Sequence, residues 1–176
     1  YRLPLGEYDY KRMLFAKHFL YSEEEFARMF KFTIVRNPYD RAVSCWKYLM
    51  KLYPSSVLLG RPRKLGMRMS FVRFLKELPR IWEEKEERHI ATHTAPIWSD
   101  LTDEEGELLV DRIYRIEELD EALPELCDRL GVQKDRIQRK NVSRDRGDHR
   151  RYYSKKARKW VEQLYGQDIE RVGYEF

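Results

Sequence analysis

The sequence predicts an α/β fold, a parallel sheet flanked by helices, and three observations carry that expectation. A short stretch rich in β-branched and aromatic side chains, FTIV at 32–35, runs through a turn into a strongly patterned helix. A second such stretch, Ile113, Tyr114 and Ile116, runs through an acidic turn into another amphipathic helix that a glycine stops. Between the two lie segments of helical period, which parallel strands need in order to cross back to the same edge.

Length and composition bound the rest. A chain of 176 residues fits one domain with room for a core, so a single domain over 1–176 is expected. Charged residues make up 37% and aromatics 14%, a mixture that excludes a disordered chain. A net charge of +5 suits an anionic ligand: a nucleotide, a nucleic acid or an acidic glycan. No run of about 18 apolar residues is present, so no membrane span is expected, and no signal peptide is visible. Cys45 and Cys127 are too few for a disulfide scaffold and lack metal-ligand spacing. Both read as buried free thiols, which favours a reducing compartment.

Taken in order, residues 1–12 mix Pro, Gly and aromatics without period and read as a loop. His18 follows in an apolar stretch, where the bland reading is a packed or surface histidine. Ser22 with Glu25 forms a capping-box signal for a short helix whose stripe is Phe26, Met29 and Phe30. After the strand, Asn37 reads as an N-cap, Pro38 as the first helical residue and Asp40 as an acid suited to the positive helix end. Arg36 therefore lies at a strand's carboxyl end beside a helix N-terminus, where open α/β sheets bind anions. Ser44 comes close to two turns after Asn37, a rise of roughly 10 Å that an extended arginine can largely cover. A guanidinium and a hydroxyl could then meet on one phosphate. A capped helix with an arginine paired to a nearby acid explains the same residues.

The helix continues through Trp46, Leu49, Met50 and Tyr53 and stops at Pro54, Ser55 and Ser56. Arg61, Arg63, Lys64 and Arg68 lie in a basic stretch, a solvated loop or a grip for an acidic acceptor. Ser70 opens a helix with Phe71, Phe74, Leu75 and Leu78 on one face, and a charged run follows at 83–89. His89 and His93 stand four apart, but the glutamate of a zinc-protease HExxH is absent and Pro96 argues for a helix end, so no metal is expected. Leu123, Leu126, Cys127 and Leu130 form the stripe of the helix that Gly131 ends. Residues 133–151 are polar and basic, and the final segment is a helix capped by Ser154, with Trp160, Val161, Leu164 and Tyr165 on one face and continuing to Ile169.

Several of these stretches resemble, in order, the carbohydrate-type (family 2) sulfotransferases that use 3′-phosphoadenosine 5′-phosphosulfate. RNPYDRAVS, with Arg36 and Ser44 eight apart after FTIV, resembles their 3′-phosphate segment. His93 and Pro96 resemble a His-x-x-Pro element, although Ile97 stands where those relatives commonly carry Gln. The strand around Arg115 and Glu117 resembles an R-x-E-x-L strand, which makes this pair structural. Asn141 and Ser143, then Arg150, Arg151 and Tyr153, resemble the late loop that closes over the nucleotide, and Y-x-x-D-I-x-x-x-G-Y-x-F resembles the family's carboxyl end.

The resemblance implies a P-loop-like sulfotransferase fold and sulfuryl transfer to a hydroxyl or amine of a carbohydrate or small-molecule acceptor. It implies that Arg36 and Ser44 bind the 3′-phosphate, with Arg150, ahead of Arg151, reaching it from the opposite side. His18 becomes the first candidate general base and His93 the second, since imidazole can take a hydroxyl proton near neutral pH. The donor nucleotide is a co-substrate, no metal is implied, and no nucleic-acid partner is expected. The family's Pro-Lys-x-Gly loop for the 5′-phosphosulfate does not occur in this sequence; with Tyr1 in place of Met, an upstream strand and loop are expected. A non-catalytic nucleotide or acidic-glycan binder and a basic nucleic-acid-binding domain are the alternatives. A bacterial-type cytoplasmic setting is expected, or the Golgi lumen if an anchor precedes Tyr1.

Overall fold

The computed structural model describes residues 13–52, 69–84, 88–137 and 147–176. Along them run a helical turn α1 (Met13–Phe15) continued by a π-helical turn over Ala16–Leu20, then α2 (Glu23–Arg28), β1 (Phe32–Val35) and α3 (Pro38–Leu52). Next come α4 (Phe71–Glu84), α5 (Arg88–Thr94), α6 (Trp98–Leu101), β2 (Arg112–Arg115) and α7 (Leu119–Leu130). A 3-10 turn over His149–Tyr152 leads to α8 (Lys155–Leu164) and α9 (Gly166–Val172). The expectations for 1–12, for Tyr53 and the stop after it, for the basic stretch 57–68 and for Asn141 and Ser143 fall outside the described residues.

The described chain is thus mostly helical with a small parallel two-stranded sheet, consistent with the expected α/β fold. It divides into two compact units, Tyr1–Arg36 with Ile97–Arg144, and Asn37–Pro96 with Asp145–Phe176.

The first unit holds both strands. They pair in parallel, from Phe32 opposite Arg112 to Val35 opposite Arg115, one residue earlier on β2 than its apolar residues alone suggest. Asp111 starts that pairing: its carboxylate accepts from the Lys31 N–H at 2.7 Å and lies 3.2 Å from the Lys31 ammonium. Phe30 stacks on Phe32 at 5.7 Å, and Phe32 meets Tyr114 edge-on at 6.1 Å. Ahead of β1, Ser22 and Glu25 form the full capping box of α2, each side chain meeting the other's backbone N–H. After β2, α7 buries Leu126 and Cys127 but leaves Leu130 exposed, so the expected stripe ends a turn early. Gly131 closes it at φ 63°, with the Val132 N–H returning to the Cys127 carbonyl at 3.0 Å.

The second unit holds the larger core. Tyr39, Ala42, Val43 and Leu49 of α3 face Phe71, Phe74, Leu75, Leu78 and Ile81 of α4, Ile90 of α5, and Ala157 and Val161 of α8. Leu49, Leu75, Leu78, Ile90, Ala157 and Val161 are fully buried, and each large aliphatic side chain among them contributes about 1.5–3 kcal/mol by leaving water. The carboxyl-terminal helix expected to continue to Ile169 is two helices. Tyr165 leaves helical dihedrals at φ −124°, ψ 23°. Its buried hydroxyl donates to the Thr94 carbonyl at 2.7 Å, and Gly166 begins α9.

Candidate functional site

The turn after β1 is built as its residues dictate. Asn37 caps α3 by accepting from the Tyr39 N–H at 2.9 Å, Pro38 takes the first helical position, and Asp40 stands in the first turn. The same Asn37 side chain donates to the Glu175 carbonyl at 3.0 Å, which ties the cap to the chain beyond α9. Arg36 is half-buried directly after β1 and is the last residue of its stretch of the first unit; Ser44 is half-buried two turns into α3, in the second.

Ser44 has cationic company within its own unit. Lys47, three residues on and so on the same face of α3, holds its ammonium 4.6 Å from the centroid of the Tyr152 ring. Arg151 brings its guanidinium to 5.0 Å from that ring. The hydrogen bond from Lys47 first, and then Arg151, hold the Tyr152 phenol below its ordinary range, the signature of a locally positive site. Gly147 makes room for this arrangement, because a Cβ there would meet the Arg151 guanidinium at 2.5 Å. Arg150 is engaged differently: it donates to the Phe176 carbonyl at 3.0 Å and lies 3.8 Å from the Asp148 carboxylate. Lys47 escaped the sequence reading, although its i+3 spacing from Ser44 was there to find.

The two histidine candidates stand in different units. His18 lies exposed in the π-helical turn, its Nε2 3.5 Å from a Glu104 carboxylate oxygen. His93 is half-buried near the end of α5, its Nε2 3.1 Å from the His89 Nε2 and its ring edge-on to Tyr48 at 5.4 Å. The structure therefore keeps His89 and His93 on one helix, despite Pro96.

The end of α5 is held from several sides. Arg41 donates to the His93 carbonyl at 3.2 Å and the Ala95 carbonyl at 2.6 Å, and lies 3.8 Å from the buried Asp168 carboxylate. The Cys45 thiol also reaches the His93 carbonyl, at 3.1 Å. Cys45 is half-buried and Cys127 buried. In the first unit Arg115 pairs with Glu118 at 3.2 Å, the residue after the expected Glu117. No group of three or more potential metal ligands stands together among the described residues, and no described helix is long and apolar enough to cross a membrane.

The described chain is thus an α/β arrangement in which a parallel strand runs on into a capped helix that carries a serine, with Lys47 and Arg151 gathered at Tyr152. The model of the sulfotransferase family matches residues 8–175, nearly the whole chain, and the chain belongs to that family. Membership supports sulfuryl transfer as its general chemistry. No curated protein and no solved structure matches the chain.

Proposed function

We propose that the chain moves a sulfuryl group from 3′-phosphoadenosine 5′-phosphosulfate to a hydroxyl or amine of a carbohydrate or small-molecule acceptor. The observation that carries this reading is the RNPYDRAVS segment in its strand, cap and helix setting, inside a chain matched by the sulfotransferase family from 8 to 175. Arg36 and Ser44 grip the 3′-phosphate. Arg151 and Lys47 add positive charge beside Ser44, and their meeting on Tyr152 favours Arg151 over Arg150 as the late-loop contact. His18 is the first candidate base and His93 the second. The acceptor oxygen attacks sulfur in line, its proton passes to the base, and the bond from sulfur to the 5′-phosphate oxygen breaks, releasing 3′-phosphoadenosine 5′-phosphate. The Glu104 carboxylate beside His18 orients that ring.

A nucleotide binder without turnover is the second reading, and it rests on the sequence as given, which contains no Pro-Lys-x-Gly segment of the kind that holds a 5′-phosphosulfate. Binding and turnover are tested apart. Titration with 3′-phosphoadenosine 5′-phosphate raises the melting temperature of the chain. Arg36→Ala weakens the nucleotide about 10-fold or more, as expected for a lost charge-assisted contact to phosphate. A chain whose melting is indifferent to the nucleotide would overturn both readings. Labelled sulfate transfer to a glycan panel then separates enzyme from binder.

A further inference from the structure

We propose that His89 and His93 form a two-imidazole chelate for a borderline divalent transition ion such as Cu²⁺, Ni²⁺ or Zn²⁺. The argument starts from α5, which carries both residues one turn apart. Their Nε2 atoms converge at 3.1 Å, with ring centroids 4.5 Å apart and ring planes crossed at 80°. Two nitrogens bound to one ion at about 2.0–2.1 Å stand roughly 2.9–3.4 Å apart for bond angles between square and tetrahedral, so the spacing already suits a shared ion. Without metal, a proton on one Nε2 bridges the pair; with metal, both rings carry their proton on Nδ1 and present an Nε2 lone pair.

The scaffold keeps this spacing. Ile90, next to His89 on α5, is fully buried and anchors the helix to the core of the second unit. Thr94 is buried and accepts from the Trp82 indole N–H at 2.9 Å. Arg41 and Cys45 hold the His93 carbonyl, and Tyr165 holds that of Thr94. The helix therefore cannot slide or unwind cheaply. Tyr48 flanks both rings, at 6.1 Å from His89 and 5.4 Å from His93. Exposed His89 leaves the pair open to solvent. The pair supplies two protein ligands, and water or another small ligand completes the coordination shell. Soft thiolate-loving or hard oxygen-loving ions have no claim on such a donor set, which is why imidazole-binding divalents are named.

The test uses the full chain without an affinity tag. Titration calorimetry with Cu²⁺ and, separately, Ni²⁺ gives one ion per chain, with affinity at least 10-fold weaker in His89→Ala and in His93→Ala, while His18→Ala and His149→Ala bind as the parent does. Electron paramagnetic resonance of the Cu²⁺ form shows coupling to two imidazole nitrogens. Unchanged binding in His89→Ala, whose exposed side chain leaves folding intact, or a spectrum with fewer than two imidazole nitrogens, overturns the proposal. The readout is metal binding alone, so its failure leaves the nucleotide reading untouched.

Discussion

Arg41 is the residue on which the second unit's polar interior turns. One guanidinium nitrogen donates to two carbonyls at the end of α5, while the other faces the buried Asp168 and makes no hydrogen bond of its own. Replacing one partner of a buried pair strips the other of its counter-charge. Arg41→Met is therefore expected to cost about 3–5 kcal/mol in urea unfolding, and adding Asp168→Leu to recover a large part of it. Gly147 makes a different point. The group that a new Cβ would strike is the end of a flexible arginine rather than backbone, so Gly147→Ala should barely move the melting temperature. It should displace Arg151, however, and weaken 3′-phosphoadenosine 5′-phosphate several-fold by calorimetry; an unchanged affinity would remove Arg151 from the nucleotide grip.

At the scale of elements, β1 and β2 meet through Asp111. The backbone N–H of Lys31, more than the opposing cost of burial, and then the Lys31 ammonium hold this carboxyl below its ordinary value. An unfolded Asp111, with an ordinary pKa of about 3.9, takes up its proton sooner than the folded one. Its contribution is thus complete above that value and is lost as pH falls through the lower folded one. Denaturant midpoints measured from neutral pH down to strong acid should fall less steeply in Asp111→Asn than in the parent. Solvent reaches half of the side chain, which keeps the effect modest. These elements were legible where their signals are local. Ser22 with Glu25, Asn37 before Pro38, Ser154 and Gly131 each cap their helix through neighbours a few residues away. The break at Tyr165 was not, because it depends on a hydroxyl bond across 71 residues, although Gly166 was a local hint. Arg41's partners lie 52 and 54 residues off, and no periodicity points to them.

At the scale of the molecule, a net charge of +5 favours encounter with an anionic donor. Stopped-flow association of 3′-phosphoadenosine 5′-phosphate should slow as salt rises from 20 to about 500 mM, because the screening length falls from tens of ångströms toward a few. Rates independent of salt would mean that the charge is too dispersed to steer. The family was legible because its stretches recur in order along a single chain, and the family match extends over both compact units. The assembly of the site was less legible. Which of two adjacent arginines joins Lys47 is decided by side-chain direction in a 3-10 turn, which spacing alone does not encode.

The pairing of β1 with β2 also sets a timetable. Lys31 and Asp111, which start the ladder, lie 80 residues apart. A ribosome adding about 5–20 residues per second delivers β1 roughly 4–16 seconds before the strand that hydrogen-bonds to it. During that interval the nascent chain carries Phe30, Phe32, Ile34 and Val35 beside an unfilled strand edge, the surface that chaperones and neighbouring nascent chains seize. Arrested chains from which Arg112–Arg115 has not yet emerged should therefore aggregate or recruit chaperones more than chains long enough to expose β2, which covers one edge of β1.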